Sequence, residues 1–175
     1  MNIALIGPRG SGKSKLSAEL ARITGLQTLS TDALAVKTEE MPIADQVEKW
    51  GWKRFRNLEF QILKDLGKTD NTIIDCGGGI LFDVDENGTE VFSQRKSELL
   101  KKLAIIVYLV RPEAYTSETI INDPARPDLN ADKSYNDILS FRLPWYEKLA
   151  DYTLTVSNMT PREAADKILN DIIKK

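Results

Sequence analysis

Eight residues near the start of the chain, Gly7-Pro8-Arg9-Gly10-Ser11-Gly12-Lys13-Ser14, fit the pattern G-x-x-x-x-G-K-[ST]. The chemistry that this spacing serves is anion binding. Glycines let a backbone curl until several N–H groups converge on one anion, and a helix starting where the loop ends adds its positive dipole end. Gly10, Ser11, Gly12, Lys13, Ser14 and Lys15 are therefore candidate nucleotide contacts. Lys13 is expected to reach the outer phosphates, and the Ser14 hydroxyl to hold Mg²⁺. The flanks agree: Ile3-Ala4-Leu5-Ile6 is a short apolar run of the buried-strand type, while Leu16, Leu20 and Ile23 recur at helical spacing before Gly25. The pattern implies that the chain binds a nucleoside triphosphate.

A phosphate loop alone does not separate a kinase from a GTPase or a motor. Other residues narrow the choice. Ser30-Thr31-Asp32 follows the second apolar run and brings a carboxylate to the edge of the sheet where ligands bind in such folds. Phe55-Arg56-Asn57-Leu58-Glu59 pairs a guanidinium with a carboxylate one helical turn later. Asp75-Cys76-Gly77-Gly78-Gly79 follows the third run, so three backbone N–H groups can approach a ligand without Cβ interference. Arg126-Pro127 and Arg142-Leu143-Pro144-Trp145-Tyr146 supply two more guanidinium groups. The chain has no histidine, so any general base is a carboxylate, a lysine or water. Each feature has a plainer reading as well. Asp32 could cap a helix over Ala33–Val36, Arg56 and Glu59 could be an exposed i,i+3 ion pair, Gly77–Gly79 a tight turn, and Arg126 a solvated loop charge. Trp52 and Trp145 read as packing residues.

The elements that must position these residues are legible. Apolar runs at Ile3–Ile6, Leu26–Leu29, Thr72–Ile74, Ile105–Val110 and Tyr152–Val156 alternate with helical patterns, which predicts an α/β layer with a parallel sheet. Leu58, Ile62 and Leu66 share one face of a helix stopped by Gly67, with Trp52, Arg56 and Glu59 on another face. Thr160-Pro161-Arg162-Glu163 is a capping box opening the last helix. Phe82–Glu90, with its Asn87-Gly88 turn signal, reads as irregular, and so does Asn122–Lys133. The second is a lid candidate over about residues 122–134. At 175 residues with a net charge of −2, the chain is expected to be a single domain over 1–175 with no nucleic-acid or membrane partner. Its single cysteine, Cys76, and the strand at its N-terminus predict a cytoplasmic protein without a signal peptide. No heptad or exposed apolar stripe is evident, which suits a monomer.

Taken together, the phosphate loop, Asp32, F-R-x-x-E, G-G-G, R-P and R-x-P-x-Y resemble the shikimate kinase family in order and spacing over nearly the whole chain. The resemblance implies a three-layer P-loop NTPase fold: a five-stranded parallel sheet flanked by helices, with a mobile lid. It implies transfer of the γ-phosphoryl group of ATP to the 3-hydroxyl of shikimate, with Mg²⁺. Carried onto this sequence, it has Arg56 and Arg142 clamp the substrate carboxylate, with Glu59 holding Arg56. It has Asp32 bind the ring hydroxyls and take the proton, and Gly78 with Gly77 and Gly79 offer backbone N–H groups. Lys13 and Arg126 then neutralise the transferring phosphoryl.

Three departures from the family pattern stand out. The first position of the family's D-x-D is Ser30 here, while Thr72-Ile73-Ile74-Asp75 ends in a carboxylate where the family carries a small or neutral residue. Asp75 is therefore a candidate replacement metal ligand beside Ser14. The arginine that lies against adenine is replaced by Glu118 or Thr119, leaving the loop around Pro161 to hold the base. Arg126-Pro127 is followed by Asp128-Leu129, and Phe82–Glu90 is longer than the family's segment. Two rival readings follow: a kinase for another hydroxylated carboxylic acid, or a kinase-like binding or regulatory protein with little turnover.

Overall fold

The computed structural model describes residues 1–114 and 134–173. The expected lid, Arg126, Asp128-Leu129 and both Glu118 and Thr119 lie outside the described residues, apart from Ser134 at the lid's end. Five parallel strands form the central sheet: β1 (Asn2–Ile6), β2 (Gln27–Ser30), β3 (Thr72–Asp75), β6 (Ala104–Val110) and β7 (Tyr152–Thr155), in the order β2-β3-β1-β6-β7. All four pairings are parallel. Each strand is near-continuously apolar where it is covered on both faces, as β1 is, with every residue buried.

Successive side chains of a strand point to opposite faces, and this builds two cores. Ile3, Leu5, Ile73 and Val107 face one side, against α1 (Lys13–Thr24) and the last helix, α6 (Pro161–Ile168). Ala4, Ile6, Ile74 and Ile106 face the other, against α3 (Ile43–Leu66), α4 (Gln94–Leu103) and α5 (Tyr135–Leu149). The sheet register sets Ser30 beside Asp75 and Asp75 beside Leu5. Asp75 therefore shares its face with Leu5 and Ile73, the α1 side, at the carboxyl end of the sheet.

The start and stop signals act where the sequence puts them. Gly25 ends α1 in the left-handed region at φ 73°, and the Thr160–Glu163 capping box opens α6. The expected cap at Asp32 moves by two residues: α2 (Thr31–Glu39) is capped by the Ser30 hydroxyl, which accepts from the Ala33 N–H at 3.3 Å. Ser30 thus has a structural task as a helix cap. Helix α3 turns at Gly51, whose φ of 79° and ψ of 164° are not helical, and Phe55 to Leu66 then pack on the sheet.

The stretch read as irregular, Phe82–Glu90, instead starts an antiparallel hairpin of β4 (Phe82–Val84) and β5 (Glu90–Phe92). Its turn is built on the Asp85 carboxylate, which accepts from the N–H groups of Asn87 and Thr89 at 2.9 and 2.8 Å, with Gly88 at φ 77°. Phe82 is fully buried, and Phe92 stacks on Trp145 with ring centroids 4.0 Å apart, so the base of the hairpin is fixed.

Candidate active site

The loop after β1 has the conformation its glycines predict. Gly7, Gly10 and Gly12 have φ of 140°, 76° and 95°, values that L side chains rarely adopt. A pocket of about 470 Å³ opens above it, lined among others by Gly10, Lys13, Ser14, Ser30, Asp32 and Asp75. Lys13 is buried, its ammonium donating to the carbonyls of Gly7 at 2.9 Å and Pro8 at 2.8 Å. A second pocket of about 120 Å³ adjoins the loop, lined by Ser11, Gly12, Lys15, Arg111, Thr160 and Pro161 with the apolar side chains beneath them. The sequence-predicted phosphate residues and the Pro161 loop are therefore neighbours. Arg111, at the end of β6, borders both pockets and was not singled out from the sequence. No motif marks it; only its position one residue past an apolar strand could have flagged it.

The glycine turn joins this pocket to the predicted arginines. A Cβ on Gly77 would stand 3.0 Å from Cγ of Asp32 and nearer still to its Oδ1. One on Gly79 would stand 2.5 Å from Nη2 of Arg56. The turn lacks side chains because protein groups, not only a ligand, press against it. Gly77 also corrects one expectation: its N–H is committed to the Thr31 hydroxyl at 2.8 Å and is not turned to a ligand. The Gly78 carbonyl accepts from Arg142 Nη1 at 3.3 Å and from the Tyr146 hydroxyl; the Gly79 carbonyl accepts from Arg56 Nη1 at 3.2 Å.

Arg56 and Glu59 are not an exposed pair. Their side chains are 3% and 2% exposed, with both Glu59 oxygens 2.9 Å from Arg56 Nη1. Lys96, fully buried on α4, completes the group at 2.8 Å from Glu59 Oε2 and 3.2 Å from Asp83. Burial pulls Lys96 below its ordinary pKa, against the attraction of Glu59. Sequence reading missed Lys96, although its i,i+4 spacing to the buried Leu100 was a signal. Arg142 lies on α5, positioned by a capping box at Ser134 and Asp137. Its fork meets Glu90 of the hairpin, Nε to Oε1 and Nη2 to Oε2, both at 2.6 Å. Burial works against the charge of Arg142, but these bonds hold its pKa above the ordinary value. Glu90 also lies 3.4 Å from Arg56 Nη2, so one carboxylate bridges the two arginines.

Among the described residues no three His, Cys, Asp or Glu side chains gather as a metal cage. The side-chain oxygens lining one pocket are those of Ser14, Ser30, Asp32 and Asp75, with Ser14 and Asp75 the pair expected from the sequence. That donor set fits Mg²⁺, which binds through one or two protein oxygens with phosphate and water completing its shell. Among the described residues no helix is long and apolar enough to cross a membrane.

The family model for shikimate kinase matches residues 9–173. A shikimate kinase of Leptospira biflexa is 47% identical over 171 residues, covering 97% of this chain and 94% of that one. In structure, the chain is similar to a shikimate kinase of Acinetobacter baumannii in complex with shikimate, with a TM-score of 0.84, 29% identity, and coverage of 99% and 93%. A shikimate kinase of Aquifex aeolicus follows, with a TM-score of 0.79, 26% identity, and coverage of 99% and 96%. A buried arginine pair, a phosphate loop and the glycine turn between them thus occur in a chain that belongs to the shikimate kinase family.

Proposed function

We propose that this chain transfers the γ-phosphoryl group of ATP to the 3-hydroxyl of shikimate. The observation that carries the reading is Gly77–Gly79, whose backbone touches Asp32 on one side and Arg56 and Arg142 on the other. Donor and acceptor halves meet there within one turn of chain. A hydroxyl beside Asp32 would face the phosphate pocket while the acid group of the same molecule is held by the two guanidinium forks, which suit a carboxylate.

The residue roles follow from that placement. The phosphate-loop N–H groups and Lys13 bind the triphosphate, and Lys15 and Pro161 border the pocket offered to the base. Asp32 orients the acceptor hydroxyl and takes its proton as the new P–O bond forms, the role that a chain without histidine leaves to a carboxylate. Lys13, with Arg126, which follows β6 in the sequence, offsets charge on the transferring phosphoryl. Ser14 and Asp75 would hold Mg²⁺, which when bound neutralises phosphate charge. A monomer working in a reducing cytoplasm is the simplest setting for a chain of this composition.

A coupled ADP-release assay with Mg²⁺, comparing shikimate, quinate and gluconate, tests the reading. Turnover with shikimate far above the other two is expected. Faster turnover of gluconate or quinate would reassign the acceptor, and binding of shikimate without turnover would make the chain a binding protein.

A further inference from the structure

The carboxylate between the two clamp arginines belongs to the protein. Glu90 accepts from Arg142 through two bonds of 2.6 Å and lies 3.4 Å from Arg56. Fork-on-fork pairing of this kind is how a free carboxylate sits on a guanidinium. We propose that Glu90 is an internal stand-in for the acceptor's carboxylate, and that the acceptor binds by displacing it. The inference rests on the reading of Arg56 and Arg142 as the acceptor clamp.

Occupancy of the fork requires the exchange. Arg56, Arg142, Lys96 and the more exposed Arg95 face Glu59, Glu90 and Asp83, and both Nε and Nη2 of Arg142 are filled by Glu90. A further carboxylate entering beside Glu90 would find that fork taken and would meet a like charge in a site shielded from water. One carboxylate must go. Glu59 is 2% exposed and tied to both Arg56 and the fully buried Lys96, so its departure would take from that lysine its nearer carboxylate. Glu90 begins a three-residue strand beside the exposed turn at Glu86–Gly88. Only the Val84–Glu90 pair has to open, because Phe82, Phe92 and Ser93 hold the other end of the hairpin. Arg56 also keeps a bond in reserve. Its Nε–H is buried and meets no acceptor among the described residues.

Displacement makes Glu90 a specificity determinant. An acid repays both arginines for the carboxylate they give up, whereas an uncharged polyol leaves them unsatisfied. The same contact weakens apparent acceptor affinity by the fraction of molecules in which the clamp is open. A clamp open about one time in ten raises KM about tenfold, equivalent to about 1.4 kcal/mol.

The test is steady-state kinetics of Glu90→Gln at saturating ATP with shikimate varied. KM is expected to fall about fivefold to tenfold, a larger change than any in kcat. Without shikimate the variant melts below the wild type, and saturating shikimate raises its Tm by more than it raises the wild type's. A rise in KM, with no larger ligand-induced gain in Tm, would show Glu90 orienting the arginines in the complex and overturn the proposal. Hydrogen exchange of the wild type gives a second reading that needs no variant. Residues 84–90 exchange faster with shikimate bound if Glu90 is expelled, and slower or equal exchange overturns it. Arg142→Lys separates the foundation from the inference. If it raises the shikimate KM at least about tenfold with the ATP KM unchanged, the clamp stands and Glu90→Gln reports on Glu90 alone. If the shikimate KM does not move, the clamp reading falls, and the proposal with it.

Discussion

Alanine at Gly79 should damage this protein far more than alanine at Gly78, one residue away. A Cβ at 79 would stand 2.5 Å from Nη2 and 2.7 Å from Cζ of Arg56, and closer still to Nη1. The guanidinium cannot retreat freely, because both oxygens of Glu59 bind it and Glu90 lies behind it. Moving it by the ångström or so needed for ordinary contact breaks the bond to the Gly79 carbonyl and misaligns the pair with Glu59. Breaking a buried ion pair costs about 3–5 kcal/mol, and a distorted pair part of that, so about 2–4 kcal/mol is expected. The gain from removing a glycine in the unfolded chain returns only about 0.4–1 kcal/mol. The net loss is about 1–3.6 kcal/mol, and at about 2–4 °C per kcal/mol for a chain of this size Gly79→Ala should lower Tm by about 2–14 °C. A Cβ at 78 would meet nothing nearer than the Arg9 nitrogen at 3.5 Å, an ordinary contact, and its melting point should stay within about 2 °C. Thermal denaturation followed by circular dichroism decides the matter. Equal melting points for the two variants, or a lower one for Gly78→Ala, would refute the view that Arg56 is wedged against the turn.

Three further outcomes are expected. Asp75→Ala should raise the Mg²⁺ concentration needed for half-maximal activity at least about tenfold, whereas Ser30→Ala should leave it nearly unchanged and cost about 1 kcal/mol through the lost cap; equal, small effects on Mg²⁺ titration would remove Asp75 from the metal site. Burial raises the pKa of Asp83, but bonds from Arg95 and the charge of Lys96 outweigh it and bring the carboxyl to about 2. Its folded pKa lies below its unfolded one, so its contribution is full above about pH 4 and fades as pH falls toward 2. Urea titrations should show Asp83→Asn about 1–2 kcal/mol less stable than wild type at pH 7, with the gap narrowing below about pH 4. Burial, with Asp75 adding to it, pushes the Cys76 thiol well above its ordinary range, so a disulfide reagent should label the native protein negligibly and the guanidinium-unfolded protein at once.

The strands and the phosphate loop were readable because their signals are local. Buried parallel strands are apolar runs, and the loop is a contiguous motif. The acceptor side was readable only in part. Arg56 and Glu59 were found, but an i,i+3 pair looks the same in sequence whether exposed or buried; what buries it is Lys96, 37 residues on. Glu90 lay in a stretch read as irregular, since three residues of alternation on either side of a turn are too few to announce a hairpin. Its partners are 34 and 52 residues away, and no spacing rule reaches that far. The cap fell on Ser30 and not Asp32 because both residue types suit a cap and only the strand's end decides between them.

The register that sets Ser30 beside Asp75 bears on how such a site can change over time. Neighbouring strands lie about 4.8 Å apart, so a carboxylate lost from one strand and gained on the next at equal height shifts by about the width of one bridging water. In such an exchange a pocket would keep its charge, while in an alignment one column would lose an acid and an unrelated column would acquire one. A comparison by columns would record two independent events where the fold records a single short translation. Parallel sheets, whose strand ends form one continuous rim, let acidic groups migrate sideways in this way without rebuilding the loops around them.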